Sequence, residues 1–493
     1  MFYPDKKMFI KKAKRGNLVP VFKEILADME TPVSAYMKIA SKEYGFLLES
    51  VEGGENIARY SFLGADPTLV FSSKGKEITI LEEGKKRIFR TSKTPLDELK
   101  HLMARYKPVE DSRLPRFYGG AVGYISYDSV RFFEPKVPDS NTDTLGFPDS
   151  LFMITDTIVI FDHVNHTMKV VGNAFIKGSP AKAYDNAVKK INAVISKLRK
   201  PLKPLPAESY IPVKKSRVKS NMTKANFERI VKKAKGYIKE GDIIQVVLSQ
   251  RFRVDFKTSE FNLYRALRSV NPSPYMFYLK LGNIGIIGSS PEVHVRCEDG
   301  NVELRPIAGT RIRGSSEEED LKLQTELLKD EKEKAEHIML VDLGRNDIGR
   351  VCNPGSVKVK ELMVIEKYSH VMHIVSDISG KLKRGFDIYD LVKATFPAGT
   401  VSGAPKIRAM QIIDELEKDK RGIYSGVIGY FSFSGNLDSA IAIRTMVVKG
   451  KKAFIQAGAG IVADSVPEKE FFETVNKAEA MVKAIELAEM FKN

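Results

Sequence analysis

Apolar residues recur along this chain with two different periods, and each change of period marks a new element. Residues 15–31 repeat at helical spacing through Leu18, Val21, Phe22, Ile25 and Leu26, which predicts a short helix. Residues 35–48 read instead as alternating strand-like segments and run into Leu47-Leu48-Glu49-Ser50. Short β-branched or aromatic runs at 58–64, 69–72, 77–81 and 86–90 are parted by Gly, Pro and Asp and predict a sheet with hairpins. Helices are expected at 95–106 and 181–198, and strands at 150–161 and 168–171. Between them, residues 117–127 read as a buried strand punctuated by glycines, where another backbone comes close. Its Gly-Gly-x-x-Gly is not a dinucleotide fingerprint, because no helix opens directly after it.

Residues 200–219 hold four prolines and no sustained period, so the chain is expected to cross there from one half to the other. The regions expected are 1–199, strand-rich; 200–222, a linker; and 223–493. No internal repeat is evident. The second half opens on a helix at 223–239 that ends at Gly241, followed by a strand at 242–250. A short helix at 263–270 stops at Asn271-Pro272-Ser273-Pro274, and a hairpin follows at 275–279 and 284–288. A strand is expected at 293–297 and one long helix at 317–343, started by Ser315 with Glu318 in capping-box spacing. Later elements are a strand at 371–376, a helix at 407–415, a strand at 453–457 and a helix beyond Pro467.

Composition narrows the class. The formal charge of +17 comes from 79 basic against 62 acidic residues. The lysines are spread among glutamates without a nucleic-acid motif or basic tail, which points to a solubilising surface and not to nucleic acid. Such a surface also draws in a small anionic substrate. Two cysteines, no signal segment and no apolar run of roughly 18 residues indicate a soluble, cytoplasmic protein with no membrane contact.

The candidate chemistry lies in the second half. Gly458-Ala459-Gly460 is expected to break the strand and turn its N–H groups toward one point, as a cradle for an anion. Glu470, Glu473 and Lys477 follow at spacings of three and four on one helix face. A metal-assisted site for an anionic substrate and a solvated Glu–Lys pair are both open readings of that face. Glu333 and Glu336 supply a second acidic pair, and Mg²⁺ suits carboxylates of this kind better than a transition metal does, since no HExxH-type spacing occurs. Gln245 is a polar side chain in a buried strand that must find a partner, although a core backbone group could satisfy it. His373 alternates with apolar neighbours, as a core histidine also would. Tyr424 poses the same problem. Arg444, in an apolar strand, needs an anionic partner. The turn at 397–406, with the Thr400 hydroxyl before a helix N-terminus, is a further anion site.

Taken together, Gln245-Val246-Val247-Leu248-Ser249-Gln250, the stretches 306–311 and 336–347, the turn at 397–406 and the stretch 454–481 resemble the chorismate-utilising enzyme family. The likeness spans about 223–483. The first half, with Leu47-Leu48-Glu49-Ser50 and Arg59-Tyr60-Ser61-Phe62-Leu63-Gly64, resembles that family's anthranilate-forming branch, component I of the anthranilate synthases. Aminodeoxychorismate synthases usually carry a nucleophilic lysine where this chain has Ala308. Isochorismate and salicylate synthases carry a lysine base at the place of Gln245, and a glutamine cannot activate water. Those enzymes are the alternatives, with a non-catalytic basic binding protein more remote.

The resemblance implies an α+β fold of two large antiparallel sheets packed at the centre, with helices outside. It implies addition of ammonia to chorismate as the 4-hydroxyl leaves, then loss of pyruvate to give anthranilate. Glu336 and Glu473 would be direct Mg²⁺ ligands, with Glu333 and Glu470 acting through water. Arg444, Tyr424 and the amides of Gly458, Ala459 and Gly460 would bind the enolpyruvyl carboxylate. Gly309, Thr310, Thr400 and Lys477 would line the pocket, with Gln245 and Thr400 at the reacting centre. Glu292 would be the acid for the departing hydroxyl, and His373 would serve the pyruvate elimination. Glu49, Ser50, Pro274, Tyr275 and Met276 would form a site for L-tryptophan as feedback inhibitor. No cysteine sits in a nucleophile elbow, so ammonia is expected from a separate glutamine amidotransferase subunit in a hetero-oligomer.

Overall fold

The computed structural model describes residues 1–50, 59–202, 216–368 and 371–491. The first part of the fold holds, in chain order, helix α1 (Lys6–Lys12), strand β1 (Leu18–Leu26), α2 (Pro32–Ile39), β2 (Tyr44–Glu49), β3 (Tyr60–Ala65), β4 (Leu69–Lys74), β5 (Glu77–Glu82), β6 (Lys85–Arg90), α3 (Pro95–Met103), β7 (Gly120–Ile125), β8 (Ser150–Thr155), β9 (Thr157–Asp162), β10 (Thr167–Phe175) and α4 (Pro180–Leu198). The second part begins with β11 (Lys219–Ser220), α5 (Lys224–Lys239), β12 (Gln245–Asp255), α6 (Glu260–Val270), β13 (Tyr275–Leu281), β14 (Ile284–Ser290), β15 (Val293–Glu298), β16 (Asn301–Leu304), β17 (Ile307–Ile312), α7 (Glu317–Lys329) and α8 (Glu331–Gly349). It ends with β18 (Lys358–Lys367), β19 (Val371–Lys381), α9 (Ile388–Thr395), β20 (Gly403–Ala404), α10 (Lys406–Leu416), β21 (Val427–Ser432), β22 (Leu437–Ile441), β23 (Thr445–Lys449), β24 (Lys452–Ile461) and α11 (Pro467–Ala488).

Three expected elements differ. The helical spacing at 15–31 belongs to β1, whose first five residues are buried on both faces, so an apolar run at any spacing fits. Its Pro20 is tolerated because β1 is the edge strand of its sheet. The strand expected from residue 35 is instead α2, nucleated by Pro32 in the first turn and a reciprocal Thr31–Ser34 capping box. The long helix at 317–343 is two helices. Asp330 accepts from the amides of Lys332 and Glu333 and starts α8 afresh, while α7 is capped by Ser316 through Glu319 and not by Ser315 and Glu318. Most of the expected linker, 203–215, lies outside the described residues.

The strands form two twelve-stranded sheets. One runs β1-β10-β9-β3-β2-β13-β14-β23-β24-β12-β11, with β20 on β12; the other runs β17-β19-β16-β15-β22-β21-β7-β8-β4-β5-β6, with β18 on β19. All pairings within the sheets are antiparallel, as in β2 with β13 and β7 with β21. Apolar faces of both sheets meet in a core that includes Phe46, Phe117, Tyr124, Phe277 and Ile428. Helices α2, α4, α6 and α11 cover the outer face of the first sheet. Helices α3 and α9 pack on the second sheet's outer core. This is the expected α+β architecture.

Both sheets cross the boundary between the chain's two parts, and their strand orders are images of one another. From the edge to the centre, the first sheet reads β1-β10-β9-β3-β2 on one side and β12-β24-β23-β14-β13 on the other. The second sheet reads β6-β5-β4-β8-β7 against β19-β16-β15-β22-β21. A pseudo-two-fold axis therefore passes through the β2–β13 junction, where Leu47 faces Tyr278, and the β7–β21 junction, where Gly123 faces Gly429. Faint sequence echoes fit that axis. Phe117-Tyr118-Gly119-Gly120-Ala121-Val122-Gly123-Tyr124 answers Ile423-Tyr424-Ser425-Gly426-Val427-Ile428-Gly429-Tyr430, and Tyr44-Gly45-Phe46 answers Tyr275-Met276-Phe277. The repeat is hidden in the sequence because β17, β18, α7 and α8 are inserted in the second copy only.

Candidate active site

The site forms where β12 and β24 end beside α8 and α11. Strand β24 does not turn at Gly458-Ala459-Gly460; it stays paired with β12 as far as Ile461. The Val247 amide donates to the Ser402 carbonyl (2.9 Å) and the Ser249 amide to Glu417 Oε1 (2.8 Å), so both point away from β24. In an antiparallel ladder this makes Gly458 and Gly460, opposite them, non-hydrogen-bonded positions. Their peptide groups face the other edge, where β23 pairs with β24 only up to Ile455. Ala459 alternates with them and its amide belongs to the β12 ladder, which removes it from the expected cradle. The glycines serve close approach: a Cβ on Gly458 would lie 2.7 Å from the Tyr424 hydroxyl, and one on Gly460 would lie 2.7 Å from Gln245 Nε2.

Because α8 starts at Asp330, Glu333 and Glu336 fall in its first two turns and face the strand ends. Gln245 Nε2 donates to Glu336 Oε1 at 3.2 Å. Burial raises the Glu336 pKa; the Gln245 hydrogen bond and Lys477 oppose the shift, while Glu333 and Glu473 add to it. On α11, Glu470 is buried and its pKa is also raised, by burial first and then by Glu473. Lys477 ties this helix to the strand, with its Nζ 2.7 Å from Glu473 and 3.1 Å from the Gly458 carbonyl. Gly309, at φ +65°, passes so close to Glu333 that a Cβ would lie 3.3 Å from its Oε2.

Two helices thus bring four carboxylates and one lysine to one place. Among the described residues, no three acidic or imidazole groups converge into a closed metal cage. Mg²⁺ does not require one, since it takes one or two carboxylates and fills its octahedron with water and substrate oxygens. A half-buried Glu336 held among other acids fits such an ion, which would relieve their mutual repulsion.

Arg444 adopts φ 50°, a left-handed conformation that is costly for a non-glycine residue and is often kept at functional positions. Its Nη1 donates to the Lys477 carbonyl at 3.2 Å, and its own carbonyl accepts from the Ser289 amide at 3.1 Å. Burial lowers its pKa, and Glu473 and Tyr424 offset part of that. Tyr424 is buried, which pushes its pKa up to about 12 and keeps it a donor. The imidazole of His373 has Nδ1 3.0 Å from the Gly309 carbonyl and 3.1 Å from the Thr310 hydroxyl. A carbonyl partner requires Nδ1–H, leaving Nε2 as the bare base. Burial lowers the His373 pKa, and the charge on Arg444 lowers it further.

Glu292 sits in the β14–β15 turn, 4% exposed, and accepts from Thr400 Oγ1 at 2.6 Å. Burial pushes its pKa up to about 8, opposed by Thr400 and by the Ile307 amide. Burial therefore favours its protonated form. The turn at 397–405 that carries Thr400 is clamped by a buried ion pair the sequence did not single out. Arg421 Nη2 donates to Glu417 Oε1 (2.6 Å) and to the Val247 carbonyl (2.7 Å), while Nη1 reaches the Val401 carbonyl (2.8 Å). The only sequence signal for it is the i,i+4 spacing of Glu417 and Arg421.

A second group lies apart from this site, near the β2–β13 junction. Glu49, Ser50, Pro274, Tyr275 and Met276 line a narrow cavity of about 60 Å³ together with Arg296. The Glu49 carboxylate is held by the Tyr264 hydroxyl and by Arg268 at 3.1 Å. Sequence reasoning missed the cavity's charged floor, in which Asp438 faces Arg296 at 3.2 Å and Arg116 at 3.3 Å, with the Tyr275 hydroxyl at 3.0 Å. Arg116 also faces Glu298 at 4.0 Å and Arg296 faces Glu303 at 3.8 Å, so the two guanidiniums belong to a network with three carboxylates.

The family model of chorismate binding enzymes matches residues 45–483. The chain belongs to that family. Within the chorismate binding enzymes it is 52% identical to anthranilate synthase component 1 of Aquifex aeolicus, covering 97% of each chain. It is 50% identical to anthranilate synthase component 1 of Acetivibrio thermocellus, covering 99% of each. The crystal structure of anthranilate synthase component I from Streptococcus pneumoniae superposes with a TM-score of 0.77 at 39% identity, over 93% of this chain and 99% of that one. The isochorismate synthase MenF of Escherichia coli shares the fold, with a TM-score of 0.70 at 19% identity over 97% of this chain and 98% of that one.

Proposed function

We propose that this chain is the chorismate-consuming component of an anthranilate synthase, forming anthranilate and pyruvate from chorismate and ammonia. The observation that carries the reading is Gln245. Its amide is committed as a donor to Glu336 at the reacting end of β12, so the site holds no base there to activate water, and ammonia is the nucleophile that needs none. Residues 223–493 supply the catalytic region and residues 1–199 one wall of a regulatory site.

In this reading Glu336 and Glu473 would hold Mg²⁺, with Glu333 and Glu470 acting through water, and the ion would supply charge neutralisation at the ring carboxylate. Arg444, Tyr424 and the amides of Gly458 and Gly460 bind the enolpyruvyl carboxylate. Lys477 fixes Glu473 and the rim, and Gly309 and Thr310 bound the pocket. Ammonia adds at C2 while the neutral Glu292, oriented by Thr400, gives its proton to the departing 4-hydroxyl, which leaves as water. His373 Nε2 then takes the C2 proton, the ring becomes aromatic as its bond to the ether oxygen breaks, and the enolpyruvyl group leaves as the enolate of pyruvate, which takes a proton from water at its methylene carbon. We place the protein in the cytoplasm, where a glutamine amidotransferase subunit delivers ammonia. L-tryptophan inhibits through Glu49, Ser50, Pro274, Tyr275 and Met276, its carboxylate meeting the guanidiniums of Arg116 and Arg296.

The test is fluorescence of anthranilate formed by the purified chain from chorismate, Mg²⁺ and ammonium. Activity lost with EDTA and restored by Mg²⁺, and absent with glutamine until an amidotransferase subunit is added, is the expected result. Isochorismate, salicylate or aminodeoxychorismate as product overturns it.

A further inference from the structure

Strand β19, which carries His373, is bordered by a bulge on each side. On β17, Gly309 is the extra residue between Ala308, opposite Ile374, and Thr310, opposite His373, and it adopts φ +65°. On β18, Leu362 and Met363 lie between Glu361, opposite Asp377, and Val364, opposite Val375. Met363 takes φ 55°, a left-handed backbone that is costly for a residue with a side chain. Bulges re-aim side chains and are common beside active sites. The first does so here, since it brings the Gly309 carbonyl and the Thr310 hydroxyl to His373 Nδ1. The second has no role in the chemistry derived above.

The residue facing that second bulge is Ser376. Its Oγ accepts from the Met363 amide at 3.0 Å, and its own amide donates to the Pro306 carbonyl at 3.3 Å, just ahead of β17. The same Oγ lies 2.5 Å from Nε2 of His337, which is fully buried and follows Glu336 on α8. One hydroxyl therefore joins α8 to β18, and its residue joins both to β17 and to the strand of His373.

An apolar side chain at position 337 would fill the same space at less cost. The second nitrogen of the imidazole, Nδ1, is buried and has no hydrogen-bond partner among the described residues, so it forfeits the bond it would make to water. What the imidazole adds is direction. Successive residues of a helix point about 100° apart, so a bond that holds His337 on β19 also sets where Glu336 points, and Glu333 one turn earlier with it. Glu336 is the carboxylate that Gln245 touches, at the ends of β12 and β24.

We propose that His337 and Ser376 form a positioning pair, whose single hydrogen bond fixes the rotation of α8, and so the aim of Glu336 and Glu333, against the strand that carries His373. The proposal rests on the reading of Glu336 as an Mg²⁺ ligand. Neither member of the pair touches substrate or metal. The bulge at Met363 is the backbone cost of presenting its amide to Ser376 Oγ and locking that hydroxyl in place.

Mn²⁺ binding to the full chain, followed by the electron paramagnetic resonance signal of the free ion with chorismate present and ammonia absent, tests this. His337→Leu keeps the bulk and removes the bond, and should weaken Mn²⁺ binding about tenfold or more with an unchanged circular dichroism spectrum. His337→Gln, whose amide reaches toward the place of Nε2, should restore most of that affinity. Ser376→Ala should weaken binding by a factor similar to that of His337→Leu, and the double variant should bind no worse than either, because both changes remove one bond. The glutamine and alanine variants decide the matter should His337→Leu not fold. Native affinity in Ser376→Ala or in folded His337→Leu overturns the proposal, as does an additive loss in the double variant or a glutamine variant as weak as Ser376→Ala. A native chain that takes up no Mn²⁺ overturns the metal reading itself, and this proposal with it.

Discussion

Glu292 shows how one residue's environment sets its chemistry. The resemblance named it as an acid, and full burial against Thr400 supplies the physical cause, pushing its pKa up to about 8. If it is the acid for the leaving hydroxyl, activity falls as pH rises through about 8, because the carboxylate form cannot donate. His373 sets the opposite limb. Its pKa lies below the ordinary imidazole value, so the neutral base persists into mildly acid solution and activity falls only below that point. Rates measured with free ammonia held constant at each pH should trace this bell. Glu292→Gln should lower kcat by about 10²- to 10⁴-fold and abolish the alkaline limb. An alkaline limb unchanged in the residual activity would assign it to another group. Gln245 stood out in the sequence as a polar residue in an apolar strand, and the structure gives it Glu336 as its partner. Ala459 was misread because a glycine pair signals close approach as readily as a turn, and sequence alone does not separate the two.

Elements were legible where one period had one meaning. Helices α4, α5 and α11 carry clean apolar stripes, and the hairpin β13–β14 stands between turn signals, so all were anticipated within a few residues. Strand β1 and helix α2 were not, since an apolar run buried on both faces mimics a helical stripe and a short capped helix mimics alternation. The joint at Asp330 also escaped notice, although it sets the angle at which Glu333 and Glu336 meet the strand ends. The pair Glu417–Arg421 shows in the sequence only as an i,i+4 spacing, because the backbone groups it ties together, at Val247, Ser249 and Val401, are remote from it in the chain. With both side chains 3% exposed or less and their remaining hydrogen bonds spent on β12 and the turn at 397–405, they act as one unit. Arg421→Met leaves Glu417 buried without its partner, which should cost about 3–5 kcal/mol of stability. Urea denaturation monitored by circular dichroism would show this as a lower midpoint, and Glu417→Gln added to it should recover part of the loss. An unshifted midpoint in Arg421→Met would mean that water reaches the pair.

At the scale of the whole molecule, the narrow cavity at the β2–β13 junction and the candidate active site are joined by a short mechanical route. Across β13 and β14, Tyr275 faces Ser290 and Met276 faces Ser289. Ser289 donates its amide to the Arg444 carbonyl, and Asn271 Nδ2 holds its hydroxyl at 2.8 Å. Ser290 accepts from the Ser273 hydroxyl at 2.6 Å through its carbonyl, and it lies two residues before Glu292. The narrow cavity has room for only a few waters, so an amino acid entering it must part the Tyr275 segment from its surroundings. For the tryptophan inhibition proposed above, that displacement would pull on Ser289 and Ser290, hence on the strained Arg444 and on the proposed acid, a route without direct competition for chorismate. Coupling of this kind is reciprocal, so saturating chorismate should weaken tryptophan binding by the same factor that tryptophan weakens chorismate binding. Arg296 touches the cavity and Asp438 but no catalytic group, so Arg296→Ala should raise the tryptophan concentration for half-inhibition at least tenfold and leave uninhibited kcat within about twofold, given that a charge-assisted contact is worth roughly 1.5–3 kcal/mol. Steady-state inhibition curves on both proteins decide it, and equal sensitivity to tryptophan in the two would place the inhibitor elsewhere.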